Sequence, residues 1–290
     1  MDPLVSIITT THNIVENGQA DDLTLQCTLM DMQTYPSVEH IIIDKASTDD
    51  TTLLLKDFKN QGYIDFYSEP DINKFDAYNK GIMRAKGKYI AFLSCDDFFH
   101  DITAIHNLVL LMEAENADFS FSPSYCRHPK GFVFRFMPSM HNIFQVSPCP
   151  RQCMFFKKEV LEKENGFDTK FKFLSDYDLV IRLMMKGYKG VFFPMNYTTY
   201  KLGQKMYENE SAGNIEAKAI FLKNYKPIYP NLTDDVLEKM VSVSDFPKEL
   251  LDKLVIYFPK GDKDLFYEKC KQMKKIRTEA VNNKNNSERE

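Results

Sequence analysis

The sequence predicts an α/β protein with a mostly parallel sheet, helices on both faces of that sheet and a helical appendage at the C-terminus. Apolar, strand-like runs alternate with helix-like segments through roughly the first two-thirds of the chain. Several of these runs end in Asp, Ser, Thr or Asn, at the sheet edge where open parallel sheets bind their ligands. After about residue 205 the pattern is helical.

Length and composition limit the class of protein. The 290 residues suit one large domain with an appendage, and 43% hydrophobic residues are enough for a substantial core. The formal net charge of −4 gives no basic excess that would favour nucleic acid. Six scattered cysteines predict reduced thiols, and we expect neither a leader peptide nor a membrane-spanning run. We therefore expect a cytoplasmic protein, with contact at the inner face of the membrane and an oligomer left open.

The elements of the first half follow from the apolar runs and the residues that end them. Strands are predicted at residues 4–10, 38–44, 63–68 and 118–122, with another running from residue 89 into Asp96-Asp97. Helices are predicted at residues 22–33, 48–60, 76–85 and 102–114. Tyr35-Pro36 ends the first helix and Gly62 the second, because proline and glycine interrupt helices.

The second half is less regular. Residues 123–150 are rich in Pro, Met and aromatic residues and carry no clear pattern. Strands are predicted at residues 153–156 and 190–194, and helices at residues 176–186, 215–225, 233–241 and 262–280. We expect a catalytic domain at residues 1–205, a helical region at residues 206–280 and a polar, disordered tail at residues 281–290.

Asp96 and Asp97 follow an apolar run, residues 89–95, that is typical of a buried strand. Two carboxylates at the exit of a buried strand are costly to hold together unless a positive charge lies beside them. A divalent metal that carries a phosphate supplies this charge, because hard cations take oxygen ligands. The pair therefore predicts a nucleotide-diphosphate ligand, with a helix cap as the structural alternative.

Four segments, in order, resemble the family 2 glycosyltransferases with the GT-A fold, of the bacterial surface-polysaccharide type. Their sequences are VSIITTTHN at residues 5–13, IIIDKASTDDT at residues 41–51, SEPD through FDAYNKG at residues 68–81, and LSCDD at residues 93–97. The resemblance covers roughly the first two-thirds of the chain. It implies transfer of a hexosyl or N-acetylhexosaminyl group from a nucleotide-diphosphate donor, with a UDP-sugar expected, to a glycan or lipid-linked hydroxyl.

The resemblance also implies a donor site. Asp44 matches the aspartate that accepts a hydrogen bond from uracil, and Asp96 matches the acid that binds Mn²⁺ or Mg²⁺. The implied donor-binding residues are Thr10, Thr11, Asn13, Asp44, Asp71, Asp76, Asn79, Asp96 and Asp97. Turn chemistry remains an alternative for the first three, and capping of a turn or helix remains one for Asp44 and Asp76.

A later segment resembles the acidic motif that supplies the base. In LSDYDLVIR, residues 174–182, Asp176 is the implied base that takes the proton of the acceptor hydroxyl in an inverting transfer. An N-cap is the alternative for Asp176. Asp178 is expected to be structural and to pair with Arg182, four residues further along the helix.

The chain departs from the family pattern at three places. Ser94 stands where the motif usually has its first acid, Arg151-Gln152 replaces a His-Gln pair, and LGQK at residues 202–205 replaces a Gly-rich loop. Arg151 is a candidate for contact with the acceptor or the diphosphate, since its guanidinium suits anions. These departures keep a nucleotide-binding module without transfer activity as an alternative. A nucleotidyltransferase is a further one, although the Gly-rich phosphate loop is missing.

The C-terminal region raises the question of a membrane contact. Phe258, Leu265, Phe266 and Tyr267 lie beside several lysines. Such a pattern fits a peripheral membrane anchor, and it also fits an ordinary packed helix, which we favour.

Overall fold

A computed structural model describes residues 2–128, 130–201 and 210–287 of the chain. The chain divides into two compact units. The first contains residues 1–138, 149–175 and 188–204, and the second contains residues 139–148, 176–187 and 205–290. The division is therefore interleaved, whereas the sequence suggests a single boundary at residue 205.

The strands are short and lie in the first unit. They are β1 Val5–Thr11, β2 Val38–Asp44, β3 Asp65–Ser68, β4 Tyr89–Ser94, β5 Phe98–Phe99, β6 Phe119–Phe121, β7 Ser124–Arg127, β8 Val133–Phe136, β9 Met154–Lys157, β10 Gly190–Phe192 and β11 Thr198–Lys201. The main sheet has seven strands in the order β10-β6-β9-β4-β1-β2-β3. Its neighbouring strands are parallel except where β9 pairs with β4 and β6. The predicted, mostly parallel sheet is confirmed.

The helices follow the predicted order. They are α1 Ala20–Asp31, α2 Thr51–Asn60, α3 Lys74–Arg84, α4 Ala104–Ala114, α5 Lys158–Lys163, α6 Ser175–Met185, α7 Glu210–Tyr225, α8 Asp234–Val243, α9 Lys248–Leu254 and α10 Lys263–Ser287. The sequence did not predict α5 or α9. In the structure α10 continues to Ser287, into the segment where the sequence suggests a disordered tail.

A second, four-stranded sheet has the order β5-β11-β7-β8. Its strands have two to four residues each, and two of them, β7 and β8, lie in residues 123–150, where the sequence shows no clear pattern. β7 and β8 form an antiparallel hairpin, and β11 runs parallel to β7. This sheet is relevant to function because it begins directly after the Asp96-Asp97 pair.

The strands of the main sheet are held by apolar packing against helices. Val5 and Ile7 of β1 lie in a buried cluster with Ile105 and Leu108 of α4. On α3, a Cβ added to Gly81 would overlap the side chain of Ile8. Glycine at this position therefore allows α3 to approach β1 closely, which fixes the height of α3 over the sheet.

A buried carboxylate anchors α6 in the second unit. Asp178 is fully buried and accepts hydrogen bonds from Arg182 Nε at 2.8 Å, Lys223 Nζ at 2.8 Å and Asn224 Nδ2 at 2.9 Å. The partners on α7 and the partner on α6 together tie the two helices to one point. The expected structural role of Asp178 and its pairing with Arg182 are confirmed.

The C-terminal aromatic residues are mostly part of the core. Phe258 and Phe266 are buried, and their ring centroids lie 5.1 Å apart. A membrane anchor would need these rings to face outward, so they serve a packed helix, the alternative that we favour from the sequence. In the part of the chain that the structure describes, no helix combines the length and the apolar content that crossing a bilayer requires.

Candidate functional site

The carboxyl ends of β1, β2 and β4 bring predicted residues from three segments to one edge of the main sheet. Thr11 lies opposite Asp44 in the β1–β2 pair, and Thr10 lies opposite Ser94 in the β1–β4 pair. Asp96 follows Ser94 by two residues. Parallel pairing thus brings the end of β1 next to the ends of β2 and β4, which lie far along the chain, at the edge where such sheets bind ligands.

Asp44 is a fully buried carboxylate whose oxygens accept four hydrogen bonds. Oδ1 accepts from Thr11 Oγ1 at 3.0 Å and from Ser47 Oγ at 2.5 Å. Oδ2 accepts from the Ser47 backbone N–H at 2.9 Å and from Ser68 Oγ at 2.7 Å. Three of these donors are hydroxyl groups, which can rotate away and release a lone pair. The role of Asp44 as an acceptor for uracil stays a prediction that requires such a rotation.

The loop after β1 is pinned to the loop after β2. Asn13 has a left-handed backbone with φ of 47°, which asparagine tolerates better than most residues. Its backbone N–H donates to Ser47 Oγ at 2.8 Å, and its side-chain oxygen accepts from the Thr48 N–H at 3.0 Å. Thr10 lies next to Tyr78, with 3.5 Å between their hydroxyl oxygens. The turn chemistry that the sequence leaves as an alternative is present for Asn13.

The acids before and within α3 are paired with lysines. Asp71 Oδ1 lies 3.0 Å from Lys45 Nζ, and Asp76 Oδ2 lies 3.3 Å from Lys80 Nζ. The N-cap of α3 is Asn73, whose side chain accepts from the N–H groups of two first-turn residues. Asp76 is therefore not the N-cap, and it instead accepts the N–H of Ile72 at 3.1 Å.

Asn79 has a structural role that the sequence did not predict. Its Nδ2 donates to the carbonyl of Phe167 at 2.8 Å, and its Oδ1 accepts the N–H of the same residue at 2.8 Å. A Cβ on Gly166, which has φ of +59°, would overlap Asn79. Both polar atoms of the amide thus hold the chain at 166–167 against α3. The donor contact of Asn79 stays a prediction, and both polar atoms of its amide bond to the backbone of Phe167.

Asp97 also proves to be structural. Its N–H donates to the Ser94 carbonyl at 3.0 Å, which closes a tight turn over residues 94–97. Its buried carboxylate accepts from the Ser94 N–H at 2.8 Å, Gln152 Nε2 at 2.7 Å and the Lys201 N–H at 3.3 Å. Burial raises the pKa of this carboxyl, while the charge of Arg151 acts in the opposite direction. Asp97 therefore holds the turn of residues 94–97, which we call the acid turn, and its donor contact stays a prediction.

Asp96 lies near the ammonium group of Lys201, which it shares with a second carboxylate. Its side chain is 16% exposed, and Lys201 Nζ lies 4.0 Å from Oδ2, at the outer limit of an ion pair. The same ammonium lies 4.0 Å from Asp22 of α1. Burial, and then the charge of Asp97, raise the pKa of the Asp96 carboxyl to about 6. An additional cation would therefore stabilise the charged form of Asp96, which burial and the neighbouring Asp97 disfavour.

The residues at Asp96 fit a metal that arrives with a phosphate. The carboxylate is an oxygen ligand of the type that Mn²⁺ and Mg²⁺ prefer. Across residues 2–128, 130–201 and 210–287, no group of three or more His, Cys, Asp and Glu side chains is arranged to hold an ion. An ion at Asp96 would thus take further ligands from a diphosphate, which is how Mg²⁺ is commonly bound.

Ser94 and Arg151, two of the departures from the family pattern, touch each other. Arg151 donates from Nη2 to Ser94 Oγ at 2.7 Å, and its guanidinium lies 4.9 Å from the ring centroid of Tyr78. Arg151 is buried, with 7% of its surface exposed. The position that usually carries an acid here carries a hydroxyl bound to a cation. Arg151 is thus beside the acid turn, where an anion of the donor is expected.

A network of buried, hydrogen-bonded side chains, which we did not predict from the sequence, holds the backbone of the acid turn. Gln26 Nε2 donates to the Ser94 carbonyl at 2.7 Å and to the Asp97 carbonyl. Thr9 Oγ1 lies 2.8 Å from Gln26 Oε1 and 2.9 Å from His40 Nε2. Because Gln26 Oε1 only accepts, Thr9 donates to it, and His40 must carry its proton on Nε2.

One feature of the sequence could have indicated this hydrogen-bond network. His40 interrupts an apolar strand, and buried polar side chains require partners. Burial lowers the pKa of His40 to about 4, so the ring is neutral and its tautomer is fixed by Thr9. The network therefore holds the carbonyls of Ser94 and Asp97 in place through hydrogen bonds between uncharged groups.

Asp176, the implied base, lies in the second unit. It is the second residue of α6, is partly buried, and accepts the N–H of Tyr177 at 2.9 Å. Its convergence with Asp44 and Asp96 stays a prediction. The segment at residues 202–205, where the sequence has LGQK, lies outside the described residues.

The raised pKa of Asp96 leads to a prediction with opposite effects on stability and on metal binding. Below about pH 4 the Asp96 carboxyl is protonated in both the folded and the unfolded state. Between about pH 4 and pH 6 it ionises first in the unfolded state, so the folded state loses stability, and above about pH 6 the whole penalty is present. We expect Asp96→Asn to raise the free energy of unfolding at pH 7.5 by about 1–3 kcal/mol. The same change should abolish Mn²⁺-dependent binding of nucleotide, because an amide is a poor ligand.

Thermal unfolding at pH 5 and pH 7.5, with and without Mn²⁺ and UDP, measures both effects. Asp65→Asn is the control, since Asp65 is an exposed acid at the start of β3. Asp96→Asn with unchanged Mn²⁺-dependent stabilisation would contradict the metal assignment. An equal change in the stability of this variant at pH 5 and pH 7.5, or a destabilisation at pH 7.5, would contradict the charge argument.

Comparisons with known proteins were made for sequence and for structure. The model of the family described as Glycosyl transferase family 2 matches residues 6–174, which include the predicted donor residues and end two positions before Asp176. The Escherichia coli UDP-Glc:alpha-D-GlcNAc-diphosphoundecaprenol beta-1,3-glucosyltransferase WfaP is 31% identical over 192 residues, 64% of this chain and 72% of that protein. The putative teichuronic acid biosynthesis glycosyltransferase TuaG of Bacillus subtilis is 34% identical over 122 residues, 41% of this chain and 46% of that protein.

Two solved structures share the fold. TarS 1-349 of S. aureus in complex with UDP-GlcNAc has a TM-score of 0.57 at 12% identity, and covers 94% of this chain and 89% of that one. The mannosyltransferase PcManGT from Pyrobaculum calidifontis, in complex with GDP-Man and Mn²⁺, has a TM-score of 0.58 at 17% identity, with 89% and 72% covered. At these identities the likeness concerns the fold, and the predicted GT-A class with C-terminal helices is confirmed.

Proposed function

The chain belongs to glycosyl transferase family 2, and on this premise we propose that it transfers a sugar from a UDP-sugar to a hydroxyl of a glycan or lipid-linked saccharide, with inversion at the anomeric carbon. One observation carries the proposal. The ends of β1, β2 and β4 gather Thr10, Thr11, Asp44 and the turn of Asp96 at one edge of the main sheet. The names of WfaP, which include UDP-Glc and a diphosphoundecaprenol acceptor, and of the TarS complex with UDP-GlcNAc support the donor and acceptor classes.

The donor would lie along this edge. The uracil N–H would donate to Asp44 after one of its hydroxyl partners rotates, since a charged acceptor strengthens such a bond. The paired loops at residues 11–13 and 47–48 would line the base and the ribose. The hydrogen bonds that pin these loops fix their shape before the ligand arrives, which lowers the entropic cost of binding.

The diphosphate would lie at the acid turn. Asp96 would hold a divalent ion, which when bound neutralises charge that develops on the leaving diphosphate. Arg151, whose Nη2 donates to Ser94 Oγ, would lie close enough to donate to a diphosphate oxygen as well. Asp97, Gln152 and Gln26 hold the backbone of the turn and so keep Asp96 in position.

The acceptor half of the reaction would need Asp176. An acceptor hydroxyl oxygen attacks the anomeric carbon from the face opposite the diphosphate, the bond between that carbon and the diphosphate oxygen breaks, and UDP leaves. Asp176 would take the hydroxyl proton. It is the second residue of α6 and is partly buried, and a carboxylate is one of the side chains that commonly serve as a general base.

A thermal-shift screen tests the donor assignment. We expect UDP with Mn²⁺ to raise the melting temperature more than GDP or dTDP at equal concentration, because a ligand that binds the native state stabilises it by mass action. At about 100 times its Kd a ligand adds about 2.7 kcal/mol. A larger shift with GDP would contradict the choice of UDP. Absence of any nucleotide effect, together with absence of donor hydrolysis, would contradict the proposed function.

A nucleotide-binding module without transfer activity remains a second candidate. The observation that favours it is the acid turn, where Ser94 replaces one acid and Asp97 is fully used by backbone and amide donors. Donor hydrolysis separates the two candidates. A binding module would show the UDP-dependent thermal shift but no release of UDP from a UDP-sugar that depends on Asp176.

A further inference from the structure

The hairpin of β7 and β8 carries an unusual run of exposed apolar side chains. Phe132, Val133 and Phe134 are consecutive and are 51%, 59% and 37% exposed. Residues 130–135 are exposed on both faces of the hairpin. Three adjacent exposed apolar residues are avoided on ordinary soluble surfaces unless they contact something. We define the hairpin tip as residues 130–135.

The charge of the surrounding segment has one sign. From residue 119 to residue 158 the sequence has no Asp or Glu, although the whole chain has a net charge of −4. Within the same segment, Lys130 and Arg135 belong to the hairpin tip, and Arg127 precedes it. The formally charged side chains of this segment, at neutral pH, are therefore all cations, and one of them, Arg127, lies 3.9 Å from Asp22 of α1.

The geometry of the hairpin combines the two properties on one face. In the β7–β8 pair Tyr125 lies opposite Arg135, and Arg127 lies opposite Val133. Opposite residues of an antiparallel pair share a face, so Val133 and Arg135 of β8 place an apolar group and a cation on one face. Tyr125 is itself 40% exposed. β8 ends the order of its sheet within the described part of the chain, so the tip is at the outside of the sheet.

We propose that the hairpin tip docks on the surface of an anionic phospholipid bilayer. Phe132, Val133 and Phe134 would enter the interfacial region, where aromatic residues are favoured, and Lys130 and Arg135 would lie at the lipid phosphates. The charge argues against self-association through β8. Pairing of two copies along this edge would bring two strands that each carry Arg135, and no acid, against each other.

The base of the hairpin is attached to the acid turn. Arg127 Nη2 donates to the Asp96 carbonyl, its Nη1 lies 3.9 Å from Asp22, and its guanidinium lies 5.2 Å from the ring centroid of Phe98. Docking of the tip on lipid would therefore bring the Asp96 turn close to the lipid surface. The proposal stands on the hairpin alone and does not require the proposed transfer activity.

Vesicle flotation of the full chain tests the proposal. Vesicles of phosphatidylcholine alone are compared with vesicles that contain phosphatidylglycerol, at constant salt. We expect binding to the anionic vesicles, a loss of at least about tenfold for Phe132→Ser/Phe134→Ser, and a similar loss for Lys130→Glu/Arg135→Glu. The matched controls, which should bind like the wild type, are Met83→Ser/Leu110→Ser, at positions that are 72% and 56% exposed, and Lys56→Glu/Lys86→Glu.

Three outcomes would overturn the proposal. These are equal flotation with neutral and anionic vesicles, equal losses in the control variants, and a wild-type oligomer that the tip variants convert to monomers while vesicle binding is unchanged. Melting temperatures of all variants verify that they fold. Release of UDP from a UDP-sugar without vesicles, measured in parallel, should be the same in the tip variants and the wild type, so a failure of docking is distinguished from a failure of the proposed function.

Discussion

Asp176→Asn is expected to lower turnover about 1,000-fold while the protein still binds UDP. General-base catalysis contributes about 100- to 10,000-fold, and an amide of the same shape cannot take a proton. The side chain is partly buried at the start of α6, where the substitution keeps size and a hydrogen-bonding oxygen. The residues proposed to bind the donor lie in the first unit, so we expect the UDP-dependent thermal shift to be retained.

The measurement is release of UDP from a UDP-sugar with acceptor present, at saturating donor. Asp235→Asn is a matched control, because Asp235 is an exposed acid in the first turn of α8 in the same unit. This control should keep its activity. If Asp176→Asn stays within about threefold of the wild type, well below the usual contribution of a base, Asp176 is not the base.

Asp178→Ala is expected to lower the free energy of unfolding by about 3–5 kcal/mol. The fully buried carboxylate lies 2.8 Å from both Arg182 Nε and Lys223 Nζ. Its removal takes away from Arg182, whose side chain is only 14% exposed, a counter-charge at 2.8 Å. Removal of one partner from a buried ion pair costs more free energy of unfolding than removal of one partner from an exposed pair, which explains the size of the expected effect.

Urea denaturation of the full chain measures this change. The matched control is the exposed pair of Lys218 and Glu238, whose side chains are 37% and 61% exposed. Lys218→Met should cost less than about 1 kcal/mol, since exposed pairs contribute little. A similar cost for Asp178→Ala and Lys218→Met would contradict the importance of burial at Asp178.

The main sheet could be predicted because its signals are local. The strand predicted at residues 38–44 coincides with β2, since an apolar run is bounded by Pro36 on one side and Asp44 on the other. The strand pairings that gather the site follow from the alternation of strands and helices. The antiparallel direction of β9 could not be predicted, because it depends on partners that lie about 35 and 65 residues earlier in the chain.

The small second sheet was missed for a related reason. Strands of two to four residues, such as β5 and β8, are too short to show an alternating pattern. Their pairing joins distant segments, such as Ser124 with Thr198. The hairpin tip therefore becomes visible only when the exposure of Phe132 and Phe134 is known.

Within the site, residue type could be predicted better than residue role. Asp96 and Asp97 are chemically equal in the sequence, and their difference arises from Gln152 and Lys201, which bind the second of them from far along the chain. The same holds for Asn79, whose amide is used by Phe167. A polar side chain at a strand end can face a ligand or a backbone, and tertiary contacts decide which.

The contact between Ser94 and Arg151 limits how the motif can be edited. An aspartate grafted at position 94 from a relative would place a carboxylate where a hydroxyl now lies 2.7 Å from the guanidinium. The new acid would form a buried ion pair with Arg151 and would draw that cation away from other anions. An acid at position 94 therefore has to be introduced together with a change at Arg151. Chimaeras that exchange residues 93–97 without residues 150–153 would combine the new acid with the original arginine.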